Sequence, residues 1–221
     1  MATESTEMYL ITIYRLTLKA MYASTSDIAA TLDVSLPSVS EKVRRLAEQG
    51  YVYHEWRQGV SLTARGREVA LNVLRKHRLA ATFLVQMAGY LLDEVYEEAC
   101  RLEHVMSDRL ADRLEELLGY PRVDPYGYPI PGKDGTIAME HYPTLACVSA
   151  GATVVVQRIN DLDQARLRYI SELGLVPNAQ VEVLEVAPFE GPLVLKIDDR
   201  TVAIAYAIAC EIEVEEVMKE V

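Results

Sequence analysis

The chain changes period past its middle, and that change limits what it can fold into more than any other feature. Up to about residue 118 apolar residues recur at helical spacing, as in the stripe Val95, Ala99, Leu102 and Met106 and the stripe Leu110, Leu114, Leu117 and Leu118. Positions three and four apart share one helix face, so each stripe needs another surface to cover it. Residues 121–144 then collect Pro121, Pro125, Gly127, Pro129, Pro131, Gly132, Gly135 and Pro143, the composition of loop and linker. Beyond them Thr153–Val156, Val181–Leu184, Leu193–Ile197 and Glu211–Val214 read as short strands between turns, with one helix near Gln164–Leu173. Short strands so closely spaced fit a small SH3-like barrel. The expected fold is mainly α with a small β part.

The first third reads as a winged helix-turn-helix. Tyr9, Ile13 and Leu16 recur at helical spacing, and Ser26 is placed to cap a short helix through Leu32. After a tight break at Asp33-Val34-Ser35, the next helix has Pro37 in its first turn, where a missing N–H costs nothing, and buries Val39, Val43 and Leu46. Its other face carries Ser38, Glu41, Lys42 and Arg45, which suits a recognition helix in a major groove. Tyr51–Trp56 and Val60–Leu62, joined by Arg57-Gln58-Gly59, form a hairpin, the wing, and Thr63 caps a long helix through about Met87. Ser38, Glu41 and Lys42 are expected at bases or adjacent phosphates. Ser35, Arg45 and Arg57 are expected mostly to position the backbone, and Pro37 is expected at the DNA-binding face.

Composition sharpens this placement. A formal charge of -11 looks wrong for a nucleic-acid binder, but residues 1–78 hold 11 Lys+Arg against 8 Asp+Glu, or +3, leaving 11 against 25, or -14, for residues 79–221. Phosphate contact is therefore confined to the N-terminal part. No apolar run long enough for a bilayer exists, and MATESTEMYL lacks the pattern of a secretory signal, so a cytoplasmic protein without membrane contact is expected. Three cysteines at wide spacing argue against a disulfide framework.

The chemistry concentrates in Cys100-Arg101-Leu102-Glu103-His104. Spacings of three and four bring a thiolate, a carboxylate and an imidazole to one helix face, a mixed donor set that first-row transition metals accept and magnesium or calcium do not favour. Taken singly, Cys100 is equally a small core residue, Met8 a gap filler, and Glu103 with His104 a solvated pair. Met8 stands at the entry to the first helix, where a bond to a distant helix would couple an ion to the reading head. The apolar helical stripes around this motif read as a homodimer interface, or else as faces that pack on the long helix after the wing.

At Glu7-Met8-Tyr9-Leu10, at Arg75-Lys76-His77-Arg78-Leu79, along Glu98–Ser107 and at Asp124-Pro125-Tyr126-Gly127-Tyr128-Pro129-Ile130-Pro131, the sequence resembles the diphtheria toxin repressor family of iron- and manganese-dependent transcriptional regulators. The resemblance runs through nearly the whole chain. It implies a winged helix-turn-helix domain over 1–72, a helical dimerisation and metal-binding domain over 73–140, and an SH3-like domain over 145–221, similar to ferrous-transport accessory proteins. It further implies an activating Fe(II) or Mn(II) held by Met8, Cys100, Glu103 and His104, whose sulfur ligands look more like the iron-responsive branch.

The family's ancillary site matches only at His77. Ala81 and Tyr96 stand where a glutamate and a histidine are expected, and no third-domain ligand is recognisable near Arg166 to Tyr169. Such a site is either absent or rebuilt from carboxylates such as Glu97, Glu98 or Asp161.

The implied function is a dimeric, metal-dependent regulator of metal-homeostasis genes that binds operator DNA and takes no small-molecule substrate. Two rivals are a metalloenzyme, for which no nucleophile, base pair or phosphate loop accompanies the ligands, and a metal chaperone or transport accessory protein without DNA binding.

Overall fold

The computed structural model describes residues 3–18, 20–55, 57–160 and 163–217, so Trp56 of the expected wing and Asp161 lie outside the described residues. The elements are α1 (Glu4–Thr17), α2 (Thr25–Leu32), α3 (Leu36–Glu48), β1 (Val52–Glu55), β2 (Gly59–Leu62), α4 (Ala64–Gln86), α5 (Leu92–Val105), α6 (Asp108–Leu117), β3 (Thr153–Ile159), α7 (Gln164–Glu172), β4 (Gln180–Val186), β5 (Leu193–Ile197), β6 (Arg200–Ile204), α8 (Tyr206–Ala209) and β7 (Ile212–Glu216). They fall into two compact units. One comprises Met1–His77, Leu102–Ala111 and Pro131–Ile137, the other Arg78–Arg101, Asp112–Ile130 and Ala138–Val221. Among the described residues no helix is long and apolar enough to cross a membrane.

In the first unit, helix starts are set by side-chain caps. Thr3 accepts from Thr6 N, Ser24 from Asp27 N and Ser35 from Ser38 N, each satisfying an N–H that the helix itself leaves open, for about 1 kcal/mol apiece. The cap of α2 is Ser24 rather than the expected Ser26. The helix begins one residue after Ser24, whose hydroxyl also donates to Asp27 Oδ2. Asp33 ends α2 with φ 51°, turning the chain sharply into α3.

The apolar faces of these helices close over one core containing Leu10, Ile13, Ile28, Val39, Val43 and Leu46, joined by Val52 and Val60 of the wing and Leu71 and Leu74 of α4. β1 and β2 pair antiparallel from Val52 opposite Leu62 to Glu55 opposite Gly59, with Arg57 at φ 67° in the turn. The wing is fastened to the start of α2 by a bridge between Ala23 and Val60. Thr63 begins α4 as expected, accepting from Gly66 N at 3.1 Å. Asp108, at the start of α6, accepts from Lys76 and Asn72, and these bonds hold its carboxyl below the usual aspartate range.

In the second unit five antiparallel strands run in the order β6-β5-β4-β3-β7. Their inward residues, among them Val154, Val156, Val181, Val183, Leu193, Leu195 and Val214, are fully buried, and Leu167 and Ile170 of α7 are buried with them. The alternation that reads as strand in the sequence is this two-residue period. β6 has no alternation in the sequence that marks it as a strand. Its mostly exposed Arg-Thr-Val-Ala-Ile run is held by pairing along β5 from Leu193 opposite Ile204 to Ile197 opposite Arg200.

Residues 122–130, whose composition reads as linker, are instead an ordered turn. The buried Asp124 accepts from the N–H groups of Tyr126 and Tyr128 at 3.0 and 2.9 Å, and Ile130 N donates to Arg122 O. A carboxylate that satisfies two backbone donors gives a proline-rich loop one conformation. On this turn sits β3. Ile159 N donates to Tyr126 O at 3.0 Å, and the buried Arg158 pairs with Glu213 at 2.8 Å, with its guanidinium over the rings of Tyr128 and Tyr142.

Gly127 makes that close approach possible. Its φ is +90°, and a Cβ there would stand 1.9 Å from the carbonyl oxygen of Gln157. Gly127→Ala is expected to cost about 1–3 kcal/mol, read as a lower thermal unfolding midpoint. An unchanged midpoint would show that the turn and β3 separate without penalty.

Candidate metal centre and nucleic-acid face

Helix geometry places Cys100 one turn before Glu103 and His104 on α5, and the fold adds residues from elsewhere to that face. Glu103, 4% exposed, lies with its Oε2 2.7 Å from His77 Nδ1 of α4 and its Oε1 3.2 Å from His104 Nε2. His104 in turn has its Nδ1 2.8 Å from Oε2 of Glu7, on α1. A carboxylate withdrawn from water needs donors or cations around it, and here His77 serves one oxygen while His104 faces the other.

The only group of three or more His, Cys, Asp or Glu suited to an ion among the described residues is His77, Cys100 and Glu103, whose ligand atoms all lie within 4.8 Å of one another. His104 Nε2 is buried without a hydrogen bond while it faces Glu103 Oε1. An imidazole nitrogen, a carboxylate oxygen and a thiol within 4.8 Å of one another, with a second imidazole facing the same carboxylate, fit a divalent transition ion.

The other expected ligands are placed as follows. Met8 lies in α1 directly after Glu7 and is 40% exposed. Glu97 and Glu98 pair with Arg101 at 3.8 and 3.1 Å, and Glu97 also accepts from Gln164. Ala81 is fully buried. The residue that sequence reasoning missed is Glu7. An acidic residue in the first turn of a helix already has an explanation in the helix dipole, and its partner is 97 positions away.

On the recognition-type helix α3, Ser35, Pro37 and Ser38 are exposed at its N-terminus, with Ser35 Oγ 2.9 Å from Ser38 Oγ. Glu41 and Arg45 are exposed and paired with each other one turn apart. Lys42 is half-buried. Its Nζ donates to Thr6 Oγ1 at 3.2 Å and lies 5.7 Å from the centre of the Tyr9 ring. Burial, and then the nearby Arg45, hold its ammonium below the usual lysine range. Arg57 is exposed at the tip of the wing.

Comparison with known proteins agrees with both features. Residues 1–60 match the iron dependent repressor N-terminal DNA binding domain, residues 63–132 the iron dependent repressor metal binding and dimerisation domain, and residues 144–216 the FeoA domain. The chain is 35% identical to the iron-dependent repressor IdeR of Mycobacterium leprae, over 97% of this chain and 98% of that protein. It is 32% identical to the diphtheria toxin repressor of Corynebacterium diphtheriae, over 96% and 97%. Among solved structures it is similar to a manganese-dependent transcriptional repressor in complex with manganese, at 38% identity and a TM-score of 0.86, over 96% of this chain and all of that one. It is also similar to ScaR with bound Cd2+, at 31% and 0.82, over 96% and 99%.

The position of Glu103 between two imidazoles gives a direct test. Glu103→Ala is expected to weaken Co(II) or Mn(II) binding by at least about 10- to 100-fold in a competition titration. Glu98→Ala, which removes only a partner of Arg101, is expected to leave it unchanged.

Proposed function

Because the chain belongs to the diphtheria toxin repressor family, it is a metal-dependent transcriptional repressor that binds operator DNA as a homodimer and is not an enzyme, and we propose that its activating ion is held by Met8, Cys100, Glu103 and His104. The observation that carries this reading is Glu103, a buried carboxylate with His77 on one oxygen and His104 facing the other, one turn from the thiol of Cys100. His77 belongs to the same cluster through Glu103, so the proposed stoichiometry is one strong site per chain. The ion is Fe(II) or Mn(II), and the thioether and thiolate favour Fe(II) by softness.

The division of labour is DNA reading by 1–72, ion binding and dimerisation by 73–140, and a barrel of accessory role over 145–221. The exposed Leu117 of α6 is assigned to the dimer contact. The protein works in the cytoplasm, where its operator is, and governs genes of metal homeostasis. On DNA, Ser38 and Glu41 of α3 read bases, Lys42 lies at their edge, and Ser35, Pro37, Arg45 and Arg57 meet the backbone.

The ion acts by tying α1 to α5. A ligand shifts a conformational equilibrium only through its differential affinity for the two states, and Met8 alone of the four ligands comes from the reading head. Operator affinity and metal affinity are therefore measured side by side, at fixed salt, with Fe(II) and Mn(II). Met8→Ala is expected to keep part of the metal affinity and lose most of the metal response in DNA binding, while Cys100→Ala loses both. Wild-type metal dependence in Met8→Ala would overturn this route. Calorimetry is expected to find one strong site per chain, and a second tight site lost with His77→Ala would overturn the single-ion assignment. Arg45→Ala is expected to weaken binding to all duplexes alike and to lower the salt slope by about one.

A further inference from the structure

The ligand set assigned above leaves Glu7 without a role. Its place in the first turn of α1 favours a carboxylate through the helix dipole, and that benefit needs no side-chain partner. Glu7 nevertheless turns to α5, where its Oε2 lies 2.8 Å from His104 Nδ1, with 20% of the Glu7 side chain and 8% of the His104 side chain exposed. The opposite nitrogen of the same ring, Nε2, is buried without a hydrogen bond and stands 3.2 Å from Glu103 Oε1. An imidazole whose Nδ1–H donates to a carboxylate keeps its Nε2 lone pair for a Lewis acid, in a fixed ring orientation and with raised basicity.

We propose that Glu7 is a positioning residue of the metal centre: it holds His104 as the Nδ1–H tautomer with Nε2 presented to the ion, and so gives α1 a second hold on the site beside Met8. The inference rests on the reading of His104 as a ligand. Glu7 is not itself a ligand.

Its neighbours extend the consequence to DNA. Thr6, one residue earlier and about 100° around the helix, accepts from Lys42 of α3 at 3.2 Å. Thr6 and Glu7 are thus successive residues of one turn, directed to the recognition helix and to His104, and Met8 follows them in the same helix. A shift of that turn reaches Lys42 without passing through a loop.

A purely structural ion pair between α1 and α5 would lower the stability of the metal-free protein on mutation and leave the ring chemistry and metal affinity as they are. The test uses the full chain as wild type, Glu7→Ala, Glu7→Gln and His104→Ala. Co(II) affinity is measured by competition, thermal unfolding is measured without metal, and ring 15N shifts of His104 are recorded in the metal-free protein. Glu7→Ala is expected to lose about 10- to 100-fold in Co(II) affinity, and Glu7→Gln, whose amide oxygen still accepts from Nδ1–H, to recover most of it. The wild-type ring is expected to carry its proton on Nδ1.

Unchanged Co(II) affinity in Glu7→Ala, beside loss in His104→Ala, would overturn the inference and leave the ligand assignment standing. Equal affinity in wild type and His104→Ala would overturn both. A wild-type ring protonated on Nε2 would overturn the inference even if Glu7→Ala failed to fold.

Discussion

A carboxylate sealed from water organises the candidate site. Glu103 sits on α5 with almost no exposure, and its two oxygens are met by imidazoles carried on α4 and on α5 itself. Neither a bare anion nor an arbitrary neighbour would do there, because desolvation of a charge costs several kcal/mol unless donors or cations replace the lost water. The arrangement fixes how α4 and α5 meet and leaves a nitrogen and an oxygen facing the same point. A divalent ion would meet, on the side of His104, the need that His77 meets on the other oxygen. On the proposed ligand assignment, one place would be both a structural junction and a sensor.

Helix α1 connects that place to the core of the first unit. α1 buries Leu10, Ile13 and Tyr14 in the core that also holds Val39, Val43 and Leu46 of α3, so the two helices are held together by packing. Its first turn carries the polar links, Thr6 to Lys42 and Glu7 to His104. Close-packed helices move as bodies and deform little, so a change in what the turn grips is expressed as a change in position. In the other unit, Asp124 and Arg158 do comparable ordering work. One satisfies the backbone of a proline-rich turn, and the other binds β3 to that turn through Glu213 and two tyrosine rings.

What the sequence determined by itself is what short-range geometry determines. The Cys100, Glu103 and His104 face, the start of α3 behind Ser35 with Pro37 in its first turn, the wing with its Arg57-Gln58-Gly59 turn, and the alternation of β4 and β5 all follow from fixed periods along the chain. Tertiary structure decided the rest. It lodged Glu7 against His104 across 97 positions, placed His77 on Glu103, half-buried Lys42 under Thr6 and Tyr9, and made strand β6 out of a run that has no alternation to announce it. It also turned a linker-like stretch into an ordered seat for β3. The physical reason is common to all of these. A helical or strand period is imposed by local sterics on every residue, whereas a buried charge finds its partner only when packing brings distant helices within about 3 Å, a hydrogen-bond distance that no spacing along the chain encodes.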